Sequence, residues 1–134
     1  MTDRELMTLA EKAREQAYAP YSGFRVGAAL QTKSGKIYTG CNIENAAYTP
    51  TNCAERTAVF KAVSEGEKEF SAIAIVGGKG DEPSELCAPC GVCRQVLAEF
   101  CEGNFKILLG TKENIRTYTL AEILPCSFGK NDLK

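Results

Sequence analysis

Three cysteines and one glutamate have the residue types and the spacing to do chemistry. Glu55 follows Cys53 by two positions, and Cys90 and Cys93 lie three positions apart further along the chain. Thiolates bind zinc, and three protein ligands leave the fourth tetrahedral position open for water, as in catalytic zinc sites. The chain has no histidine, which excludes a Ser/His/Asp triad, a Cys/His pair and a histidine-containing metal site. A carboxylate or a metal-bound water must therefore move the protons.

The spacing also predicts where these residues lie on helices. Cys90 and Cys93 can reach one ion because residues three apart share a helix face. Cys53 and Glu55 point to nearly opposite sides of a helix, so they can share a site only in its first turn. If both segments begin helices, free N–H groups and two helix dipoles favour thiolate over thiol. Three thiolates leave a net charge of about −1 around zinc, and Arg56 is the nearest candidate to donate hydrogen bonds to them.

Four further cysteines lack this ligand spacing, and they are Cys41, Cys87, Cys101 and Cys126. We interpret them as packing residues or incidental thiols, since free cysteine is among the most buried residue types. Cys87 leaves an alternative open, because it lies three positions before Cys90 and could be the fourth ligand of a structural zinc site.

Composition narrows the class of partner. The 134 residues include 16 basic and 17 acidic ones, giving a net charge of −1 without a basic run. This balance argues against nucleic acid and favours a small neutral ligand. No apolar run approaches the ~20 residues of a membrane helix, and the charged first residues do not form a signal peptide. We therefore expect a cytoplasmic protein with no membrane contact. In that compartment a count of seven cysteines points to metal binding or catalysis rather than to a disulfide framework.

Hydrophobic periodicity predicts helices interleaved with five strands. The first helix starts at a capping box, Thr2 to Glu5, and ends before Pro20. A strand over 70–76 is buried on both faces and ends at Gly77 and Gly78. The other predicted elements are strands over 26–32, 36–43, 106–111 and 114–118, and helices over 53–65, 90–101 and 120–124. This order predicts a single domain with an α/β fold, a three-layer α/β/α arrangement around a mixed five-stranded sheet.

Several blocks of the chain resemble those of the small homotetrameric cytidine deaminases. The cysteine pattern with an acid/base glutamate is shared by zinc deaminases in general. The presence of Asn42 and Glu44 in addition to this pattern is more specific for the cytidine deaminases. The blocks are Pro20-Tyr21-Ser22, Val26 to Leu30, Gly40 to Ala46, Cys53 to Ala58, Pro89 to Gln95, Leu124-Pro125 and Ser127-Phe128.

The resemblance implies one catalytic domain over residues 1–134 that deaminates cytidine and 2′-deoxycytidine to the uridine compounds in pyrimidine salvage. It implies one zinc ion per subunit, held by Cys53, Cys90 and Cys93. A zinc-bound water is then the nucleophile at C4 of cytosine, and Glu55 is the proton shuttle that releases ammonia.

The resemblance also implies the residues that bind the pyrimidine nucleoside. Asn42 and Glu44 hydrogen-bond the ribose hydroxyls, and Phe24 stacks on the base; these residue types suit a sugar and a flat ring. The other implied pocket residues are Ala54, Tyr48 and Phe128, with Phe128 supplied by a neighbouring subunit of a homotetramer.

Three other functions remain open at this point. A structural-zinc interaction module would bury a metal with four ligands. A deaminase of polynucleotide cytosine would need basic grooves and stacking platforms that this composition does not indicate. A deaminase of a nucleoside-like antibiotic shares the zinc chemistry but does not need Asn42 and Glu44.

Overall fold

The computed structural model describes residues 1–84 and 86–134. In chain order the elements are α1 at Asp3–Arg14, β1 at Phe24–Thr32, β2 at Ile37–Cys41, α2 at Ala54–Ser64, β3 at Phe70–Lys79, α3 at Gly91–Phe100, β4 at Lys106–Thr111, β5 at Asn114–Thr119, α4 at Leu120–Ile123 and a short 3₁₀ helix at Lys130–Leu133. The 3₁₀ helix has no counterpart among the predicted elements. Within the described ranges, no helix is long and apolar enough to cross a membrane.

The five strands form one mixed sheet in the order β2-β1-β3-β4-β5. Strand β1 pairs antiparallel with β2 and β3, β3 pairs parallel with β4, and β4 pairs antiparallel with β5. Helix α1 buries Leu6 and Met7 against one face of the sheet. Helices α2 and α3 bury Ala58 and Leu97 against the other face. The predicted three-layer α/β/α fold with a mixed five-stranded sheet is confirmed.

Strand β3 is buried on both faces, as its apolar run predicts. Side chains alternate between the faces of a sheet, so Ile73 and Ile75 pack in the cluster with α2 and α3. Ala72 and Ala74 pack in the cluster with α1. The helical layers on both sides therefore rest on one central strand.

The prediction that Gly77 and Gly78 end this strand is wrong. Both glycines stay in β3, paired with Val26 and Arg25 of β1. Their role is close approach: a Cβ on Gly77 would lie 2.5 Å from the Sγ of Cys87, and a Cβ on Gly78 2.5 Å from a backbone nitrogen of the returning loop. The absence of side chains lets the segment that leads to α3 fold back over the sheet.

Helix α1 starts at the predicted capping box. The Thr2 hydroxyl accepts a hydrogen bond from the Glu5 N–H, and the Glu5 carboxylate accepts one from the Thr2 N–H. The helix ends at Arg14, well before Pro20, because the following segment pairs with the chain after β2. The Tyr18 N–H donates to the Asn42 carbonyl at 2.9 Å, and the Tyr18 carbonyl accepts from the backbone N–H of Glu44 at 2.8 Å.

Helix α2 lies so close to β2 that only glycine fits at position 40. We expect Gly40→Ala to lower the free energy of unfolding by about 2 kcal/mol or more, because overpacking strains a close-packed core. The added Cβ would lie 2.5 Å from the Ala54 carbonyl oxygen and 2.6 Å from the Ala58 nitrogen. Urea denaturation measures the loss.

The matched control is Gly129→Ala, since a Cβ there meets nothing within 4 Å. We expect this variant to unfold within about 0.5 kcal/mol of the parent protein. Equal stability of the two variants would contradict the packing account of Gly40.

Candidate metal centre and catalytic site

The sulfurs of Cys53, Cys90 and Cys93 converge at one point, all within 4.8 Å of one another. The Cys53 and Cys90 sulfurs are 3.8 Å apart, and those of Cys90 and Cys93 are 3.5 Å apart. A Zn–S bond of about 2.3 Å puts tetrahedral ligand sulfurs about 3.8 Å from each other, whereas a disulfide requires about 2 Å. The spacing and the soft thiol donors therefore fit a zinc ion.

Two helix N-termini bring these thiols together. Cys53 is the N-cap residue of α2 and Cys90 that of α3, while Cys93 lies in the first turn of α3. Neither N-cap side chain bonds to its own helix backbone. The positive ends of both helix dipoles therefore face thiols that are free to bind a metal.

Cys87 is not part of this cluster. Burial raises the pKa of its thiol to about 12, so it stays protonated at neutral pH. Its sulfur packs where Gly77 leaves space in β3, and the metal-binding group among the described residues contains three thiols without it. This arrangement does not favour a closed four-thiolate site.

Glu55 lies in the first turn of α2 with only 4% of its surface exposed. Burial, together with a smaller contribution from the negative charge of the Cys53 thiolate, raises the pKa of its carboxyl to about 7. A carboxyl with a near-neutral pKa can both accept and donate a proton at physiological pH. The carboxyl therefore has the properties of a general acid and base.

Arg56 supplies positive charge to the thiols. Its Nη2 donates a hydrogen bond to the Cys53 sulfur at 3.3 Å. Hydrogen bonds from Cys93 and then from Arg56 lower the pKa of the Cys53 thiol, against the effect of burial. The Arg56 Nε is also buried, with no hydrogen-bond partner among residues 1–84 and 86–134.

The three residues implied for nucleoside recognition form a neighbouring group. The Asn42 side chain accepts from the Val26 N–H and donates to the Phe24 carbonyl, both at 2.8 Å. Ile43 pairs with Asn52 through two backbone hydrogen bonds. This pairing holds the segment with Asn42 and Glu44 next to Cys53 at the start of α2.

The remaining predicted pocket residues lie in different surroundings. Ala54 is fully buried at the start of α2, and Tyr48 is 76% exposed. A cavity of about 410 Å³ is lined by Tyr21, Ser22, Glu44, Asn45, Tyr48 and Thr51. Phe128 is 61% exposed near the C-terminus, where its carbonyl accepts from Gln95 at 2.8 Å.

Sequence reasoning missed Ser22 as part of this region. Its hydroxyl contacts Glu44 and the Phe24 backbone. The signal available was a serine two positions before Phe24 with a glycine between them, which is typical of a turn closed by the serine side chain. Gly23 has φ +69°, as such a turn allows.

Three thiols and a buried glutamate lie at two helix N-termini, and Pro89 directly precedes Cys90. These are the features of the zinc-dependent deaminases. Residues 1–109 match the family model described as the cytidine and deoxycytidylate deaminase zinc-binding region. The chain therefore belongs to the cytidine and deoxycytidylate deaminase family.

Individual relatives agree with this assignment. The chain is 53% identical over 134 residues to a cytidine deaminase of Sporosarcina psychrophila, with 99% of this chain and 96% of the relative covered. It is 48% identical to one of Halalkalibacterium halodurans, with 98% of each covered. A crystal structure of cytidine deaminase from Burkholderia pseudomallei has a TM-score of 0.87 and 46% identity, and the match covers 96% of this chain and 100% of that one.

We expect Arg56→Gln to weaken zinc binding about tenfold or more, since residues that hydrogen-bond metal ligands typically contribute 10- to 100-fold to affinity. Competition with a chromogenic chelator measures the change. Arg116→Gln is the control, because Arg116 is exposed on β5. We expect this variant to bind zinc with the affinity of the parent protein. Equal zinc affinity in both variants would rule out this role for Arg56.

The buried Glu55 carboxyl should make the metal-free protein less stable at alkaline pH. Its folded-state pKa of about 7 lies above the ordinary 4.5, so the stability given by the protonated form is complete below pH 4.5. That stability is lost as the pH rises through 7. Relative to Glu55→Gln, which does not titrate, the parent should lose about 2–3 kcal/mol between pH 5 and pH 8.

Urea denaturation of both metal-free proteins under reducing conditions tests this difference. Groups that do not interact with Glu55 cancel in the comparison. A stability difference that stays constant from pH 5 to pH 8 would show that Glu55 is ionised throughout.

Proposed function

We propose that this chain is a hydrolytic deaminase of cytidine and 2′-deoxycytidine, forming uridine or 2′-deoxyuridine and ammonia. The observation that carries the proposal is the buried Glu55 carboxyl, with a pKa of about 7, beside three convergent thiols. Family membership and the cytidine deaminases that the chain resembles support this choice of substrate.

Cys53, Cys90 and Cys93 are proposed to hold one zinc ion per subunit. When bound, zinc supplies a Lewis acid that lowers the pKa of a coordinated water. Arg56 offsets the negative charge of the thiolates, because its guanidinium donates to the Cys53 sulfur. The two helix N-termini act in the same direction.

Glu55 is proposed to carry every proton of the reaction. As a carboxylate it accepts the proton of the attacking water, and as a carboxylic acid it protonates N3 of cytosine. As a carboxylate again, it takes the proton of the hydroxyl formed at C4 and passes it to the amino group at C4, so that the C4–N bond breaks, ammonia leaves and C4 becomes a carbonyl. A pKa near 7 suits both halves of this cycle, and burial at the start of α2 keeps competing water away.

Recognition of the nucleoside is proposed to use the group next to Glu55. The Phe24 ring stacks on the pyrimidine, while Asn42 and Glu44 bind sugar hydroxyls. Asn42 keeps one N–H and acceptor capacity free beyond its two bonds to β1. Ala54 and Tyr48 complete the pocket, together with Phe128 of a neighbouring subunit.

We further propose that the chain is one catalytic domain over residues 1–134, that it forms a homotetramer, and that it serves pyrimidine salvage in the cytoplasm. Exposed apolar side chains on and near α2 and α3, at Phe60, Val92 and Phe128, are consistent with a subunit interface. All seven cysteines are free thiols, which is typical of a reducing compartment. Light scattering tests the tetramer.

A substrate panel tests the activity. The zinc-loaded protein is incubated with cytidine, 2′-deoxycytidine, cytosine or a cytosine-containing oligonucleotide, and the release of ammonia is followed. We expect turnover of the two nucleosides, because the pocket offers groups for both sugar and base. Turnover of the oligonucleotide alone, or of no compound by zinc-loaded protein, would contradict the proposal.

Glu55→Ala should retain zinc and lose nearly all turnover, on the order of 10³-fold or more, since proton transfer has no other carrier. The control is Glu15→Ala, because Glu15 is exposed at the end of α1 and its loss should leave turnover unchanged. Zinc content is measured in both. Appreciable deamination by the Glu55→Ala protein would refute the shuttle.

A further inference from the structure

Ser22 lies at the centre of a hydrogen-bond network to which the proposed chemistry assigns no role. It belongs to the segment between α1 and β1, and it lines the 410 Å³ cavity together with Glu44 and Tyr48. Its hydroxyl and its backbone nitrogen both contact the Glu44 carboxylate. These contacts connect two groups of the proposed nucleoside site.

The Glu44 carboxylate is held at both oxygens. Oε1 accepts from the backbone nitrogens of Tyr21 and Ser22 at 2.9 and 3.1 Å. Oε2 accepts a hydrogen bond from the Ser22 hydroxyl. The hydrogen bond from Ser22 lowers the pKa of Glu44, and the bonds from the two backbone N–H groups act in the same direction. Glu44 is therefore an oriented carboxylate rather than a freely rotating one.

The same hydroxyl fixes the backbone of Phe24. The Phe24 N–H donates to the Ser22 Oγ at 2.9 Å, in a turn that Gly23 permits with φ +69°. The carbonyl of Phe24 accepts from the Asn42 side chain at 2.8 Å. Ser22 thus holds the N–H of Phe24, and Asn42 of the proposed sugar site holds its carbonyl.

The direction of these bonds follows from the chemistry of the groups. A backbone N–H can only donate, so the Ser22 hydroxyl must accept from Phe24. A hydroxyl has a single hydrogen, and that hydrogen is then left for the Glu44 carboxylate.

We propose that Ser22 is a positioning residue that orients the Glu44 carboxylate for the sugar hydroxyls, while Phe24 stays held through its carbonyl by Asn42 when the Ser22 hydroxyl is removed. This inference rests on the proposed deaminase function. Ser22 does not touch the reacting atoms. Its loss should therefore weaken substrate binding and leave the chemical step nearly unchanged.

Steady-state kinetics with Ser22→Ala tests the inference. We expect KM for cytidine to rise about tenfold, with kcat within about twofold, because a carboxylate that loses a charge-assisted hydrogen bond is less well oriented. The inhibition constant of 2′,3′-dideoxycytidine should change by less than about threefold, since this compound lacks two of the hydroxyls available to Glu44. A merely structural defect would weaken both compounds equally.

Two serine variants serve as controls. Ser22→Thr keeps the hydroxyl, so we expect KM within about twofold of the parent. Ser71→Ala removes a hydroxyl that bonds the Gln31 carbonyl on β1, away from this network, and should behave as the parent. If Ser22→Ala does not fold, Ser22→Cys replaces it, with a smaller rise in KM expected because a thiol is a weak donor.

A double-mutant cycle tests whether Ser22 acts through Glu44. In a Glu44→Ala background the hydroxyl has lost its acceptor, so adding Ser22→Ala should change KM for cytidine by less than about twofold. Three results would each overturn the inference. They are additive increases in KM in the double mutant, equal weakening of cytidine and dideoxycytidine by Ser22→Ala, and equal effects of Ser22→Ala and Ser22→Thr. Failure of the parent protein to deaminate any nucleoside would instead refute the proposed function.

Discussion

The meeting of two helix N-termini at three cysteine sulfurs constrains everything else in the site. Cys53 begins α2 and Cys90 begins α3, so the relative position of these helices sets the distances between the thiols. The contact of α2 with Gly40 on β2 fixes one helix. The loop that crosses Gly77 and Gly78 leads to the other. Metal geometry is thereby determined by backbone packing on the sheet.

The same arrangement explains the unusual electrostatics of the site. Thiolates and a buried carboxyl repel one another, and the Cys53 thiolate contributes to the raised pKa of Glu55. Arg56 and two helix dipoles provide the opposing charge. Because Arg56 is adjacent to Glu55 in the first turn of α2, one helical turn supplies the proposed ligand Cys53, the proposed proton carrier Glu55 and a compensating cation. This short segment therefore contains most of the chemistry.

Sequence alone predicted the parts of the molecule that depend on local rules. The capping box at Thr2, the five strands and the helix starts at the cysteines follow from periodicity and spacing. Sequence placed the end of α1 only before Pro20 and did not give its position at Arg14, because pairing of the following segment with the chain after β2 decides it. The continuation of β3 through Gly77 was not predicted, because it depends on a close approach of Cys87. The network of Ser22 was missed for a similar reason: its partner Glu44 lies on a distant segment.

The proposed sugar and base contacts share one set of paired backbone segments. The chain after β2 runs beside residue 18 on one side and residue 52 on the other. Asn42 extends this pairing through its side chain, because its amide bonds the β1 backbone as a strand residue would. Glu44, Phe24 and the start of α2 at Cys53 are therefore held by one hydrogen-bonded backbone framework.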